Sequence, residues 1–147
     1  MVVPVVARDD VADVVKYGRT GYGRDMAENR GWVALGSVYG MVAVGMAAAA
    51  AHLADGRLPM ARRVGAAALG SAVQMNGWHA LALVACGLWG RGVMTQSAGV
   101  CFALGVLLFS GSVYAGLAGF ALGSVAPVGG GLLMLGWLFL GLSTIRR

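Results

Sequence analysis

A chain of 147 residues that is 59% hydrophobic and only 12% charged cannot keep its apolar surface out of water as a soluble domain, which carries about 25% charged residues. The net charge of +5 comes from basic residues scattered over every polar segment, with no clustered basic face, so the sequence argues against nucleic acid as a partner. Both cysteines, Cys86 and Cys101, fall inside apolar stretches, which excludes a secreted disulfide framework.

Residues 1–30 form a polar tail with five basic and five acidic side chains and no apolar pattern that would give a core of its own. It is expected to be a tail or a docking arm, and Met26, which leads directly into the first apolar stretch, is an alternative start. From there the charges vanish in three windows: Gly31 to Ala54, Val64 to Gly90, and Gly92 to Ile145. A helix needs about 20 apolar residues to cross a hydrocarbon core about 30 Å thick. The first two windows hold one span each, and the third holds two spans and a turn.

In chain order the spans are expected at 32–54, 64–89, 96–122 and 127–145. Trp32 suits the aromatic belt at one interface. Gly56 and Pro59 break the chain after span 1, Gly90 to Thr95 turn it after span 2, and Gly123, Ser124 and Pro127 divide the last window. Ser124 is placed to cap span 4, and Pro127 suits a first helical turn, where its missing N–H costs nothing. The expected fold is therefore all-α, an integral membrane four-helix bundle. Six arginines on the side of the termini (Arg19, Arg24, Arg30, Arg91, Arg146, Arg147) against three on the other (Arg57, Arg62, Arg63) put both termini in the cytoplasm.

Lipid gives helices no hydrophobic reason to associate, so close approach at small residues must supply the contact. Small residues recur at intervals of four, and Gly36, Gly40, Gly119 and Gly123 are the expected helix-packing positions.

Polar groups inside lipid are costly and therefore informative. No Asp, Glu, Lys or Arg lies within any span. Spans 2 and 3 form a hairpin turning near residues 93 and 94, which brings Asn76 level with Gly111 and His79 level with Leu108. Asn76 and His79, three apart, share a helix face. Spans 1 and 2 bring Tyr39 level with His79. Tyr39, Asn76, His79, Ser110 and Ser112 are thus expected to form a mid-membrane polar network. His52, at the far end of span 1, is expected to be interfacial. It lies about 20 Å along the axis from the His79 level, too far for one metal ion, so no metal or cofactor is expected. No phosphate-binding loop, nucleophile elbow or zinc-protease helix is present.

Trp78-His79-Ala80-Leu81-Ala82-Leu83, Leu108-Phe109-Ser110-Gly111-Ser112-Val113-Tyr114, Pro127-Val128-Gly129-Gly130 and Leu135-Gly136-Trp137, in this order between about Leu35 and Leu142, resemble the YgdD-like family. These are small four-span bacterial inner-membrane proteins, with a related transmembrane family in eukaryotes. The resemblance implies topology and a bacterial inner membrane, with the mitochondrial inner membrane as the alternative. It implies no activity. The chain departs from the family in having Ala47 to Ala51 before His52, where glycines are usual. It also has Met75-Asn76 where the family has a tyrosine and a glutamine.

The functional expectation is a non-enzymatic structural or accessory subunit, surrounded by lipid and packed against other membrane subunits. A respiratory complex is one host. The alternative is a small transporter or channel using the level of Asn76 and His79.

Overall fold

The structure is a computed structural model that describes residues 30–52, 64–89, 92–120, 122 and 124–145. The polar tail, the loop after His52, and Gly123 lie outside these. The regular elements among the described residues are four helices: α1 (Arg30–His52), α2 (Ala66–Trp89), α3 (Val93–Leu117) and α4 (Ala126–Ile145). Helices α1, α3 and α4 are long and apolar enough to cross a membrane. With 24 residues, α2 is about 36 Å long, also sufficient. Its hydropathy is lowered by Gln74, Asn76 and His79, and the last two point into the bundle.

Glycines and prolines set the helix ends. Gly65, at φ 78°, delays α2 to Ala66. Gly119, at φ 96°, stops α3 at Leu117, short of the expected 122. Its N–H bonds to the Gly116 carbonyl while the Phe120 N–H reaches back to Ala115 at 3.1 Å, a Schellman cap that needs a residue with positive φ. Gly119 therefore ends the helix, and it is exposed. Ser124 does not cap α4, because the first helical bond runs from the Gly129 N–H to the Val125 carbonyl, which puts Val125 at the cap. Pro127 sits in the first turn.

Helix contact rests on other glycines. A Cβ added at Gly129 would strike the Phe109 amide nitrogen and lie 2.9 Å from the Gly105 carbonyl oxygen, so the backbones of α3 and α4 touch there. Two turns along the same seam the Phe102 ring lies over Gly136, 2.5 Å from where a Cβ would be. Gly36 of α1 is pressed against the Ala80 carbonyl and Val84 of α2, and Gly99 of α3 receives the Trp32 indole. Gly40 lies more loosely over Ala80. The apolar centre is Leu83, Cys86, Ala98, Phe102, Val106 and Leu133. Cys86 and Cys101 are free thiols.

Candidate functional site

The buried positions of α2 (Leu69, Ala72, Asn76, His79, Ala80, Leu83, Cys86) recur every three or four residues, so one helix face carries Asn76 and His79 into the bundle. Asn76 is 2% exposed and His79 4%. Ser110 and Ser112 of α3 are also buried, and Tyr39 of α1 is half-buried.

These five side chains do not hydrogen-bond to one another, which corrects the expectation of a single connected network. Each ties down a different partner. The Tyr39 hydroxyl donates to the Ala103 carbonyl at 3.0 Å, joining α1 to α3. Ser110 donates to the Ala72 carbonyl at 2.8 Å, joining α3 to α2. Ser112, two residues on and so on another side of α3, donates within its own helix to Phe109. The Asn76 amide donates to the Tyr114 hydroxyl at 3.4 Å. Each carbonyl has a second lone pair, so these bonds add to the helical ones without breaking them.

The two nitrogens of His79 have distinct roles. Nδ1 lies 2.7 Å from the Met75 carbonyl, which can only accept, so Nδ1 carries the proton. Nε2 then accepts the Trp137 indole N–H at 3.1 Å, joining α2 to α4. Phe102 completes an aromatic triad, with ring centroids 5.5 Å from His79 and 5.3 Å from Trp137 in tilted and edge-on arrangements. At the bundle end the Trp32 indole donates to Gln96 at 2.5 Å. His52 closes α1 and is exposed.

Sequence reasoning missed Trp137, Phe102, Tyr114 and Gln96. Equal-depth counting across the α3–α4 turn would have set Phe102 near Gly136 and Trp137. Tyr114 was missed because side chains lean toward their own helix N-terminus. In an antiparallel pair, Asn76 and Tyr114 approach each other from different depths.

The Asn76 carbonyl oxygen is buried and has no hydrogen-bond partner. Among the described residues no three His, Cys, Asp or Glu side chains lie together as a metal site would require.

The family model described as a protein of unknown function (DUF423) matches residues 46–130, which contain Asn76, His79, Phe102, Ser110 and Tyr114. The chain is 32% identical over 119 residues to a UPF0382 membrane protein of Staphylococcus epidermidis, covering 78% of this chain and 95% of that protein. It is 30% identical over 122 residues to the UPF0382 membrane protein YwdK of Bacillus subtilis, covering 78% and 96%. The chain belongs to this DUF423/UPF0382 family of membrane proteins. No solved structure matches it. The DUF423 match leaves out Tyr39 and Trp137, so the partners holding this site to α1 and α4 lie beyond it.

Asn76 offers a direct test of the polar layer in this DUF423 protein. Leucine has the same branched shape and number of side-chain heavy atoms, though it is bulkier, and it removes an unsatisfied oxygen together with one long hydrogen bond. Asn76→Leu is therefore expected to shift unfolding by less than about 1 kcal/mol. Asn76→Asp, which buries a carboxylate at the same depth, is expected to cost about 2.5–3.5 kcal/mol. Denaturation in mild detergent followed by circular dichroism measures both.

Proposed function

We propose that this protein is a non-enzymatic accessory subunit of the bacterial inner membrane, with both termini in the cytoplasm, that packs through α1 against a larger membrane assembly. The observation that carries this reading is how the polar side chains are used. Tyr39, Ser110, Ser112 and both nitrogens of His79 spend their hydrogen bonds on carbonyls and one indole within the bundle. Of these bonds, Tyr39 to Ala103, Ser110 to Ala72 and Trp137 to His79 join different helices, each contributing about 0.6–2 kcal/mol, while the others stay within one helix. The bacterial relatives, which are named membrane proteins, support a bacterial membrane.

Helix α1 supplies the docking face. Only 11% of its apolar window is buried, against 28% for α3 and 17% for α4. Its outward side presents Ala34, Val38, Met41, Gly45 and Ala48 at alternating spacings of four and three, and nothing lies within 4 Å of a Cβ placed at Gly45. A respiratory complex is one candidate host, and crosslinking in native membranes tests the idea. With a photoreactive residue in place of Met41, a discrete heavier adduct that disappears in Gly45→Phe is expected. A free monomer in membranes and in mild detergent would remove the proposal.

The second reading, a small transporter or channel at the Asn76/His79 level, is favoured by the unpartnered Asn76 oxygen. A cysteine at Gly111, where the structure leaves room for a side chain, tests it. Labelling by a membrane-impermeant thiol reagent would support a wetted path, and complete protection would remove it.

A further inference from the structure

One face of α2 carries Asn76 and His79 into the bundle, and the opposite face has a repeat of its own. Ser71, Gln74, Trp78, Leu81, Ala85 and Leu88 follow one another at spacings of three and four, and all six are exposed. A seven-residue repeat along one helix is the spacing at which a second helix packs on it. At about 1.5 Å per residue, Trp78 sits at the middle of α2, Gln74 about 5 Å from it and Ser71 about 10 Å from it. In a helix that crosses a hydrocarbon core about 30 Å thick, all three lie within the core.

These three side chains are polar, and none of them makes a hydrogen bond among the described residues. The exposed polar groups of the other helices are provided for. Ser37 and Thr144 donate to carbonyls of their own helices, and Trp137 donates to His79. The exposed polar groups left free short of the helix ends are thus gathered on one face of α2. A carboxamide in hydrocarbon is costly without a partner, and membrane helices supply such partners by hydrogen-bonding across to one another.

We propose that this face of α2 joins two copies of the chain into a twofold dimer, with Gln74 paired to Gln74 of the second copy. The chemistry of the face selects that occupant. A carboxamide carries both donors and an acceptor, so two of them satisfy each other. Copies inserted the same way round, related by a twofold axis along the membrane normal, bring equal positions of α2 to equal depth, so like meets like. The outward faces of α1, α3 and α4 leave no exposed polar group free to meet Gln74 between their ends, so the match for α2 in this chain is α2 itself. No residue from Val64 to Trp89 is charged, so two copies meet there without repulsion. Ala67 and Gly70 are exposed and nothing lies within 4 Å of a Cβ placed at Gly70, which leaves this half of the face open to close approach. A single amide in an otherwise apolar heptad seam also fixes register and a two-stranded state. The Trp78 indole leans toward the level of Gln74, where the carboxamide oxygen has a second lone pair for its N–H. Helix α1 packs on α2 at Ala80 and Val84, away from this seam, so its own outward face stays free and the dimer does not depend on the accessory-subunit reading.

The test uses the full chain, labelled at its C-terminus with donor and acceptor dyes, in phospholipid vesicles at decreasing protein density. Energy transfer is expected to report a dimer. Gln74→Leu, an exposed change that leaves the bundle interior untouched, should weaken it about three- to thirtyfold for each hydrogen bond lost. A monomer at every density overturns the proposal, as does a dimer of unchanged strength in Gln74→Leu. A second measurement leaves Gln74 in place. A photoreactive residue at Leu81 should give, on irradiation in native membranes, an adduct of twice the 15.0 kDa chain. An adduct of any other mass, or none, overturns the proposal.

Discussion

Gly129→Ala is expected to be the most damaging single methyl in the described bundle, lowering stability by about 3 kcal/mol or more. The added carbon meets main-chain atoms, the Phe109 nitrogen and the Gly105 oxygen, and no rotamer change relieves that. Relief requires α4 to move off α3, which separates Phe102 from Gly136 and pulls Trp137 from His79. Gly105→Ala meets mostly the Leu133 side chain, 2.5 Å away, which can rotate, so it should cost about 1–2 kcal/mol. Gly131→Ala meets nothing within 4 Å and should be within about 0.5 kcal/mol of wild type. Unfolding in mixed micelles, followed by tryptophan fluorescence, checks the order Gly129, Gly105, Gly131. A Gly129→Ala protein as stable as Gly131→Ala would show that the helices do not meet at this seam.

The comparison of these glycines also shows what the sequence could and could not disclose. Charge-free windows and breakers are local properties, so the four helices were legible from composition and spacing. Depth counting on the hairpins carried further. It set Tyr39 near His79 and the serines near Asn76, and the structure places all of them inside the bundle. Rotation about each helix axis was not legible. Apart from the face of α2 that carries Asn76 and His79, the helices are largely apolar all round, because lipid on one side and the bundle on the other both accept apolar residues, and so no amphipathic stripe reveals which face turns inward. Four-residue spacing accordingly picked out Gly36, which does pack, and Gly119, which ends a helix. It passed over Gly129 and Gly136, whose spacing of seven is equally compatible with contact. The same blindness explains the polar side chains. Whether a hydroxyl meets a neighbouring side chain or a carbonyl depends on axial rotation and on the lean of side chains toward the helix N-terminus.

Trp137→Phe is expected to cost about 1–3 kcal/mol, although both side chains are large and aromatic. Phenylalanine keeps the packing on Phe102 and loses the N–H that serves His79 Nε2. A buried acceptor is then left without a donor in a place water reaches poorly. His79→Leu deletes both imidazole bonds and leaves the Trp137 N–H without its acceptor, while the Met75 carbonyl lies within α2. The double substitution should therefore cost less than the sum of the two singles, by about 0.6–2 kcal/mol. A coupling of zero would mean that the indole does not serve the imidazole. The cycle also bears on function. If His79 serves only to join α2 to α4, the double variant should fold and give the same α1 crosslink as wild type. If the double variant folds but loses that crosslink, the imidazole has a role beyond holding the bundle, and the transport reading gains what the accessory reading loses.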